Sequence, residues 1–147
     1  MADVHLAQIN IARFRVAPED PVNADFMAAL DDVNAAAEAA DGFIWRLTGE
    51  GNNATDIRLF SDPHLLLNMS VRRDIEALHA FTYRNKHHTS VMKRRKAWFE
   101  EVEMHLALWW IEAGHIPTPQ DGAARLDALR RQGPTDYAFT FALPFRP

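Results

Sequence analysis

The stretch LLLNMSVRRDIEALHAF, residues 65–81, decides the fold because its hydrophobic period changes in the middle. In the first half, Asn68 and Ser70 point to one side of an extended chain, and the apolar residues around them point to the other. From Asp74, a candidate helix N-cap, apolar residues recur at helical spacing as far as Phe81. The stretch therefore predicts a strand with a polar pair on one side, followed directly by a helix.

Working outward from this stretch, the same two periods predict the other elements of the chain. The predicted strands are 4–11, 43–48, 65–72 and 104–112. The predicted helices are 21–41, 75–81, 91–102 and 119–132. The polar segment 49–63 is expected to be a loop, and NKHHTS at 85–90 is expected to interrupt the helical pattern. The tail at 134–147, in which apolar residues alternate, is expected to be an added strand or an arm.

The order strand, helix, strand, strand, helix, strand is the split βαβ arrangement of a ferredoxin-like fold. We therefore expect one α+β domain over residues 1–147, with an antiparallel sheet and helices on one face. The simplest cover for the other face is a second copy, which gives a dimeric α/β barrel. Gln8 and Asn10 on the first strand match Asn68 and Ser70, so these four side chains line either a ligand pocket or the dimer interface.

The composition is that of a globular chain, with 147 residues of which 48% are hydrophobic and 24% are charged. A net charge of −4 argues against nucleic acid as the main partner, because phosphate binding needs a basic surplus. The chain has no cysteine, which excludes disulfides and thiolate metal sites. We see no signal peptide and no apolar run that could span a membrane, and therefore expect a cytoplasmic protein without a membrane partner.

Several separate blocks of the sequence occur in an order that resembles a known family. The chain resembles the domain-of-unknown-function family DUF3291 over nearly its whole length, and that family is similar to a branch of the dimeric α/β-barrel superfamily that includes the antibiotic biosynthesis monooxygenases. The blocks that carry the resemblance are HLAQINIARF, GFIWRL, LLLNMSV, YRNKHH, MKRRKAWFE and LWWIEAGHIPT.

The resemblance implies roles for individual residues. In cofactor-independent monooxygenases of that superfamily, an asparagine on the third strand and a nearby tryptophan activate an aromatic substrate. Asn68 matches the asparagine, but the tryptophan position is occupied by Arg72, which cannot act as an indole. A histidine that follows the next helix matches His87 or His88, and the sequence does not decide between them.

Other candidates follow from residue chemistry alone. Arg46 lies in an apolar strand, where a cation needs a buried acceptor or an exposed edge. The adjacent His87 and His88 are a poor joint metal pair, but either could be a general base, a haem ligand or a surface histidine at a helix start. Aromatic residues that could line a pocket, or simply fill the core, are Trp45, Tyr83, Trp98 and Trp109.

The leading hypothesis is a small-molecule enzyme that acts on an aromatic or polyketide-like metabolite by cofactor-independent oxygenation or proton-transfer isomerisation. Asn68 would orient a substrate oxygen, His87 or His88 would move a proton, and Arg46 or Arg72 would hold negative charge. The first alternative is a haem protein, and the second is a homodimer that binds a ligand without catalysis. The sequence itself requires no cofactor or metal.

Overall fold

The computed structural model describes residues 3–48, 62, 64–100 and 105–147. The strands are β1 (Val4–Phe14), β2 (Phe43–Arg46), β3 (Leu65–Arg72), β4 (Phe99–Glu100) and β5 (Leu106–Glu112). The helices are α1 (Ala24–Ala39), α2 (Ile75–Arg84), α3 (Lys86–Lys93), α4 (Arg95–Trp98) and α5 (Pro119–Gln132), and a short 3-10 helix precedes α1. Most of the predicted loop at 49–63 lies outside the described residues.

The sheet is antiparallel, with β1 at its centre. One edge of β1 pairs with β3, which in turn pairs with β2, and the other edge pairs with β5 and the short β4. The strand order β2-β3-β1-β5 is that of the split βαβ arrangement. The predicted α+β ferredoxin-like fold is therefore confirmed.

Side-chain caps begin α2 and α5 where the sequence predicts, whereas α1 begins at Ala24, later than predicted, and has no side-chain cap. The Asp74 carboxylate accepts a hydrogen bond from the Ala77 backbone N–H at 2.8 Å, which starts α2 directly after β3. Thr118 and Asp121 form a reciprocal capping box at the start of α5, and that helix ends before Gly133. The period change in residues 65–81 thus marks a real strand-to-helix junction.

The two faces of the sheet have different partners, because alternate residues of each strand point to opposite sides. Helices α1 to α4 cover the face that carries Gln8 and Ser70, and Leu6 on this face packs against Ile75 and Leu78 of α2. The strand residues that alternate with these point to the other face and are apolar. They form the largest core cluster, which includes Ala7, Ile9, Ile11, Leu67, Met69, Val71, Ala107 and Trp109.

Helix α5 packs on this second face, an arrangement that the sequence did not indicate. Leu126 and Leu129 join the large cluster, and a β-carbon at Gly122 would lie 2.8 Å from Ile9 Cδ1, so the helix touches the sheet closely. Ile9 and Met69 are consequently 0% and 1% exposed within a single chain. The second copy that was expected to cover this face is therefore not needed to bury these residues, and the homodimer stays a prediction.

The helices after α2 differ from the prediction. The segment NKHHTS interrupts the helical pattern at Asn85 alone: that residue takes an extended conformation and ends α2, whereas the rest of the segment is helical because α3 begins with Lys86. The Asn85 side chain accepts from the His88 backbone N–H at 3.4 Å. The single helix predicted over 91–102 is also wrong: α3 ends at Lys93, α4 is one turn long, and the chain is extended again at Phe99.

The tail after α5 returns to the edge of the sheet. Phe139 forms an isolated bridge with Leu108, and Phe145 accepts a hydrogen bond from the Trp110 indole N–H through its carbonyl oxygen at 2.7 Å. The tail therefore packs against β5 as an arm that contains only short extended pieces. Within the described ranges, no helix is long and apolar enough to cross a membrane.

Candidate functional site

The helix-covered side of β1 and β3 carries a row of polar side chains. Gln8 lies opposite Ser70 and Asn10 lies opposite Asn68 in the antiparallel register. Gln8 and Ser70 are buried, Asn10 is half-buried and Asn68 is exposed. Arg72 continues the same side of β3 toward the interior and is 2% exposed. The row thus begins at the surface with Asn68 and ends inside the protein at Arg72.

Hydrogen bonds fix the orientation of the Asn68 amide. Gln8 Nε2 donates to Asn68 Oδ1 and to Ser70 Oγ, both at 2.8 Å, and Asn10 Nδ2 also donates to Asn68 Oδ1, at 3.2 Å. Because an amide oxygen is the acceptor and the amide nitrogen the donor, this network turns the Asn68 NH2 group away from it. In the described part of the chain nothing accepts from that NH2 group, so it is available to a substrate oxygen.

At the inner end of the row, the Arg72 guanidinium lies among aromatic rings and backbone. Its carbon lies 4.4 Å from the centre of the Phe81 ring and 5.2 Å from that of Phe43. Nη1 donates to the carbonyl oxygen of Ala37, at the end of α1, at 3.0 Å. Burial lowers the pKa of Arg72 to about 10, which leaves the group cationic at neutral pH.

His88 lies close to this cation. Its Nδ1 is 2.8 Å from the Thr82 carbonyl oxygen, and its ring lies 5.0 Å from the Phe81 ring, centre to centre. A carbonyl oxygen can only accept, so Nδ1 carries the proton and Nε2 carries a lone pair. Burial lowers the pKa of His88, and the positive charge of Arg72 lowers it further, against the opposing effect of the bond to Thr82. His88 is therefore a neutral imidazole with a basic nitrogen.

Arg46 lies on the same face but has a different environment. It pairs with Ser70 in the register of β2 and β3, and its Nε donates to the Glu38 carboxylate of α1 at 2.7 Å. The Arg46 side chain is 8% exposed, whereas that of Glu38 is 50% exposed. The acceptor that the sequence required for this buried arginine is thus a carboxylate at the edge of the helix layer.

With this geometry described, comparison with known proteins places the chain in a family. The domain-of-unknown-function family DUF3291 matches residues 5–147. The chain belongs to the DUF3291 family. A comparison with curated proteins found no match.

Solved structures similar to this DUF3291 chain include proteins described as oxygenases. SnoaB, a cofactor-independent oxygenase from Streptomyces nogalater, is 15% identical, with a TM-score of 0.50 over 80% of this chain and 99% of its own. A Nitrosomonas europaea protein classed among candidate antibiotic biosynthesis monooxygenases is 9% identical, with a TM-score of 0.51 over 80% of this chain and 97% of its own. At these identities the similarity shows that the fold is shared.

Three aromatic candidates lie away from the polar row. Trp45 and Trp109 point to the face covered by α5, where Trp109 is 1% exposed within the large core cluster. Trp98 is buried with Phe14 and Phe26 in a separate cluster. These three indoles fill the cores of this DUF3291 chain and do not wall the row.

The fourth aromatic candidate, Tyr83, is 55% exposed and lies on α2. Its ring contacts His79 and Phe141, at 4.6 and 5.9 Å between ring centres. The side chain of His87 lies outside the described part of the chain. His88 is described, and it lies near Arg72 at the inner end of the row.

Sequence reasoning missed the contribution of α1. The Ala37 carbonyl oxygen holds Arg72, and Asn34, one turn earlier on the same buried side, is 8% exposed. Asn34 breaks the alanine-rich apolar stripe of α1 with an amide. That break was the one signal in the sequence that α1 faces a polar region.

The residues around His88 do not fit a haem group. The hydrogen bond from Nδ1 to a carbonyl oxygen is typical of metal-binding histidines, and Nε2 could reach an iron. A porphyrin also needs broad apolar walls on its faces, whereas the sheet beside Arg72 presents Gln8 and Ser70, which bond to each other at 2.8 Å. Among the described residues, no group of three metal-binding side chains is found.

Proposed function

We propose that this DUF3291 protein is a small-molecule enzyme whose site lies between the sheet and helices α1 to α3, with His88 as its base. The substrate is an aromatic or polyketide-like metabolite with an acidic C–H or O–H group. The single observation that carries the proposal is the neutral His88 imidazole beside the buried Arg72 cation. A base next to a cation can remove a proton and leave its product stabilised.

The first step is the same for both reactions that the site supports. His88 Nε2 removes a proton from the substrate, an arginine holds the resulting enolate oxygen, and the Asn68 NH2 group at the outer end of the row contacts another part of the substrate. Return of the proton to a different atom isomerises the substrate. In the oxygenation, the enolate instead gives electrons to dioxygen, so that a CH2 group and O2 become a C=O group and water.

The shared fold supports the oxygenation, because one similar structure is a cofactor-independent oxygenase. Arg72, at the position where the resemblance expects a tryptophan, supports the isomerisation equally, because a guanidinium stabilises an enolate but has no indole ring to offer. The two reactions share the His88 step. The test therefore measures proton removal and oxygen consumption separately.

The experiment uses anthrone, whose CH2 group is acidic and whose oxidation product is a quinone. Exchange of the CH2 protons in D2O, followed by NMR under nitrogen, reports on the base, and an oxygen electrode reports on oxygenation. We expect catalysed exchange, and we expect His88→Asn to slow it by about 100-fold, within the range of general-base effects. Asparagine keeps a donor toward Thr82 but has no basic nitrogen.

His79→Asn is the matched control, since His79 is an exposed histidine on α2. It should leave the exchange rate unchanged. If wild-type protein does not accelerate exchange, or if His88→Asn matches wild type, His88 is not the base. If Asn68→Ala and Arg46→Ala change stability alone and no turnover is found, the chain is a non-catalytic ligand-binding protein.

A further inference from the structure

Arg72 is a buried cation for which the described part of the chain supplies no counter-ion. Nη1 bonds to a backbone carbonyl oxygen, and Nε is fully buried without a hydrogen-bond partner. Neither an ion pair nor a hydrogen bond from Nη2 is found for Arg72 among the described residues. A buried charge without an ionic partner costs stability, because the desolvation is not offset by charge pairing.

The neighbouring arginines Arg46 and Arg73, unlike Arg72, form ion pairs with carboxylates. Arg46 is paired with Glu38, and Arg73, the next residue after Arg72, is paired with Asp41 at 3.0 Å and with Asp74 at 3.2 Å. Carboxylates are therefore present on the elements around Arg72, but they bond to other cations. Among the described residues, the most deeply buried guanidinium is the one that no carboxylate neutralises.

The surroundings of Arg72 restrict the shape of such a group. The Phe81 and Phe43 rings pack against the guanidinium, and Nη1 is occupied by Ala37. The Nε–H and Nη2–H groups that form one in-plane edge of the guanidinium have no partner among the described residues. Two parallel N–H groups at this edge match the two oxygens of a planar anion, which binds through a pair of charge-assisted hydrogen bonds.

We propose that the ligand of this site is a planar organic anion, a carboxylate or the enolate of a 1,3-dicarbonyl, held by the Nε–Nη2 edge of Arg72. The inference deepens the proposed function and rests on it, because it assigns the substrate a charge that is present before any proton is removed. Arg72 then acts as the anchor in the ground state. Asn68, four residues away on the same side of β3 and about 13 Å along the strand, contacts another part of the ligand.

The experiment compares acids with amides of the same shape. Acetate, benzoate and 1-naphthoate are each titrated calorimetrically into the full-length protein beside acetamide, benzamide and 1-naphthamide. In parallel, ¹⁵N NMR follows the Nε–Hε resonance of Arg72, identified by its loss in Arg72→Met. We expect at least one carboxylate to bind about tenfold tighter than its amide, worth about 1.4 kcal/mol, and to shift that resonance.

Arg72→Met keeps an unbranched stem among the aromatic rings but has no charge. We expect it to abolish the preference for the carboxylate and to melt at or above the wild-type temperature, since a buried unpaired charge is removed. Arg73→Met is the matched control: Arg73 is half-exposed, and its loss should leave the preference intact.

The proposal is overturned if none of the three carboxylates is preferred to its amide, or if Arg72→Met keeps the preference. A melting temperature of Arg72→Met below that of wild type would also overturn it, because this is the result expected if Arg72 serves only to hold Ala37. Should that variant not fold, the wild-type comparison of acid and amide decides. Binding of carboxylates without proton exchange in an anthrone that carries a carboxylate would contradict the proposed function alone, and exchange without a carboxylate preference would contradict this inference alone.

Discussion

Replacing Gln8 with methionine separates the chemistry of the polar row from the stability of the fold. Gln8 is 4% exposed and lies at the centre of the network, where its Nε2 donates to Asn68 and Ser70 and its Oε1 accepts from Asn10 at 2.9 Å. Methionine has nearly the same length and volume as glutamine. The variant therefore removes three hydrogen bonds without creating a cavity.

The cost in stability follows from the exposure of each partner. Asn68 is exposed and Asn10 is half-buried, so water can replace the bonds that they lose. Ser70 is buried and loses one bond, which costs about 1 to 3 kcal/mol when the group is left without a partner. Burial of the methionine side chain offsets about 1.5 kcal/mol or more of this. We expect the free energy of unfolding to change by no more than about 1.5 kcal/mol.

The effect on activity should be larger than the effect on stability. Without the Gln8 donor, the Asn68 amide keeps only the longer bond from Asn10, at 3.2 Å, and the orientation of its NH2 group is less well fixed. We expect the anthrone exchange rate to fall about tenfold, since misplacement of a positioned group reduces catalysis strongly. Urea unfolding measures the free energy of unfolding, and NMR measures the rate of anthrone exchange. Ser70→Ala, which leaves Gln8 bonded to Asn68, is the control and should retain most of the activity.

Two results would refute this reasoning. A loss of more than about 3 kcal/mol would exceed the cost of one unsatisfied buried group and would make the network a structural element. Wild-type exchange by the variant would show that the orientation of Asn68 does not matter to the reaction.

Three further predictions concern stability, each measured by urea unfolding. Because the pKa of His88 is lowered in the folded state, the unfolded state binds more protons below the ordinary histidine pKa of about 6.5. As pH falls through that value, wild type should lose up to about 1.4 kcal/mol of stability per pH unit more than His88→Asn. Parallel stability curves for the two proteins would contradict this. Gly122→Ala should destabilise the protein by about 1 to 2 kcal/mol, because the clash of a β-carbon 2.8 Å from Ile9 Cδ1 outweighs the gain in helix propensity. Ala124→Gly, at an exposed position of α5, is the control for helix propensity. A stabilised Gly122→Ala would show that α5 does not pack tightly on the sheet. Asp74→Ala should cost about 1 kcal/mol by removing the cap of α2, whereas Asp127→Ala on the exposed side of α5 should cost less; equal losses would contradict a capping role.

The sequence predicts the sheet well because its signals are local. Alternation in β1 and β3 and the cap at Asp74 depend on neighbours in the chain, and the antiparallel arrangement then follows from element order. The break between α2 and α3 was predicted over 85–90 but is confined to Asn85, because one extended residue is enough to separate two helical segments. The packing of α5 on the second face was missed for another reason: Leu126 and Leu129 show that a helix has an apolar side, but not which face of a sheet that side meets.

The candidate site was predictable in part, and the difference again depends on which interactions are local. Residues of β3 share a side by period alone, so Asn68, Ser70 and Arg72 could be grouped from the sequence. That Arg46 bonds to Glu38, and that Arg72 bonds to the Ala37 carbonyl oxygen and to no carboxylate of the described residues, depends on where α1 lies against the strands. Aromatic residues were the weakest guide, because the indole of Trp109 serves a core as well as a pocket.

The two faces of the sheet divide stability from chemistry. The α5 face is fully apolar around Ile9 and Met69 and is closed within one chain. The other face is apolar at its two ends, in the clusters around Leu6 and Phe14, and polar between them. Polar residues with bonds among themselves contribute little to stability compared with apolar residues of the same volume. Their retention in the middle of this face, together with a cation that has no counter-ion in the described chain, is therefore better explained by a ligand than by folding.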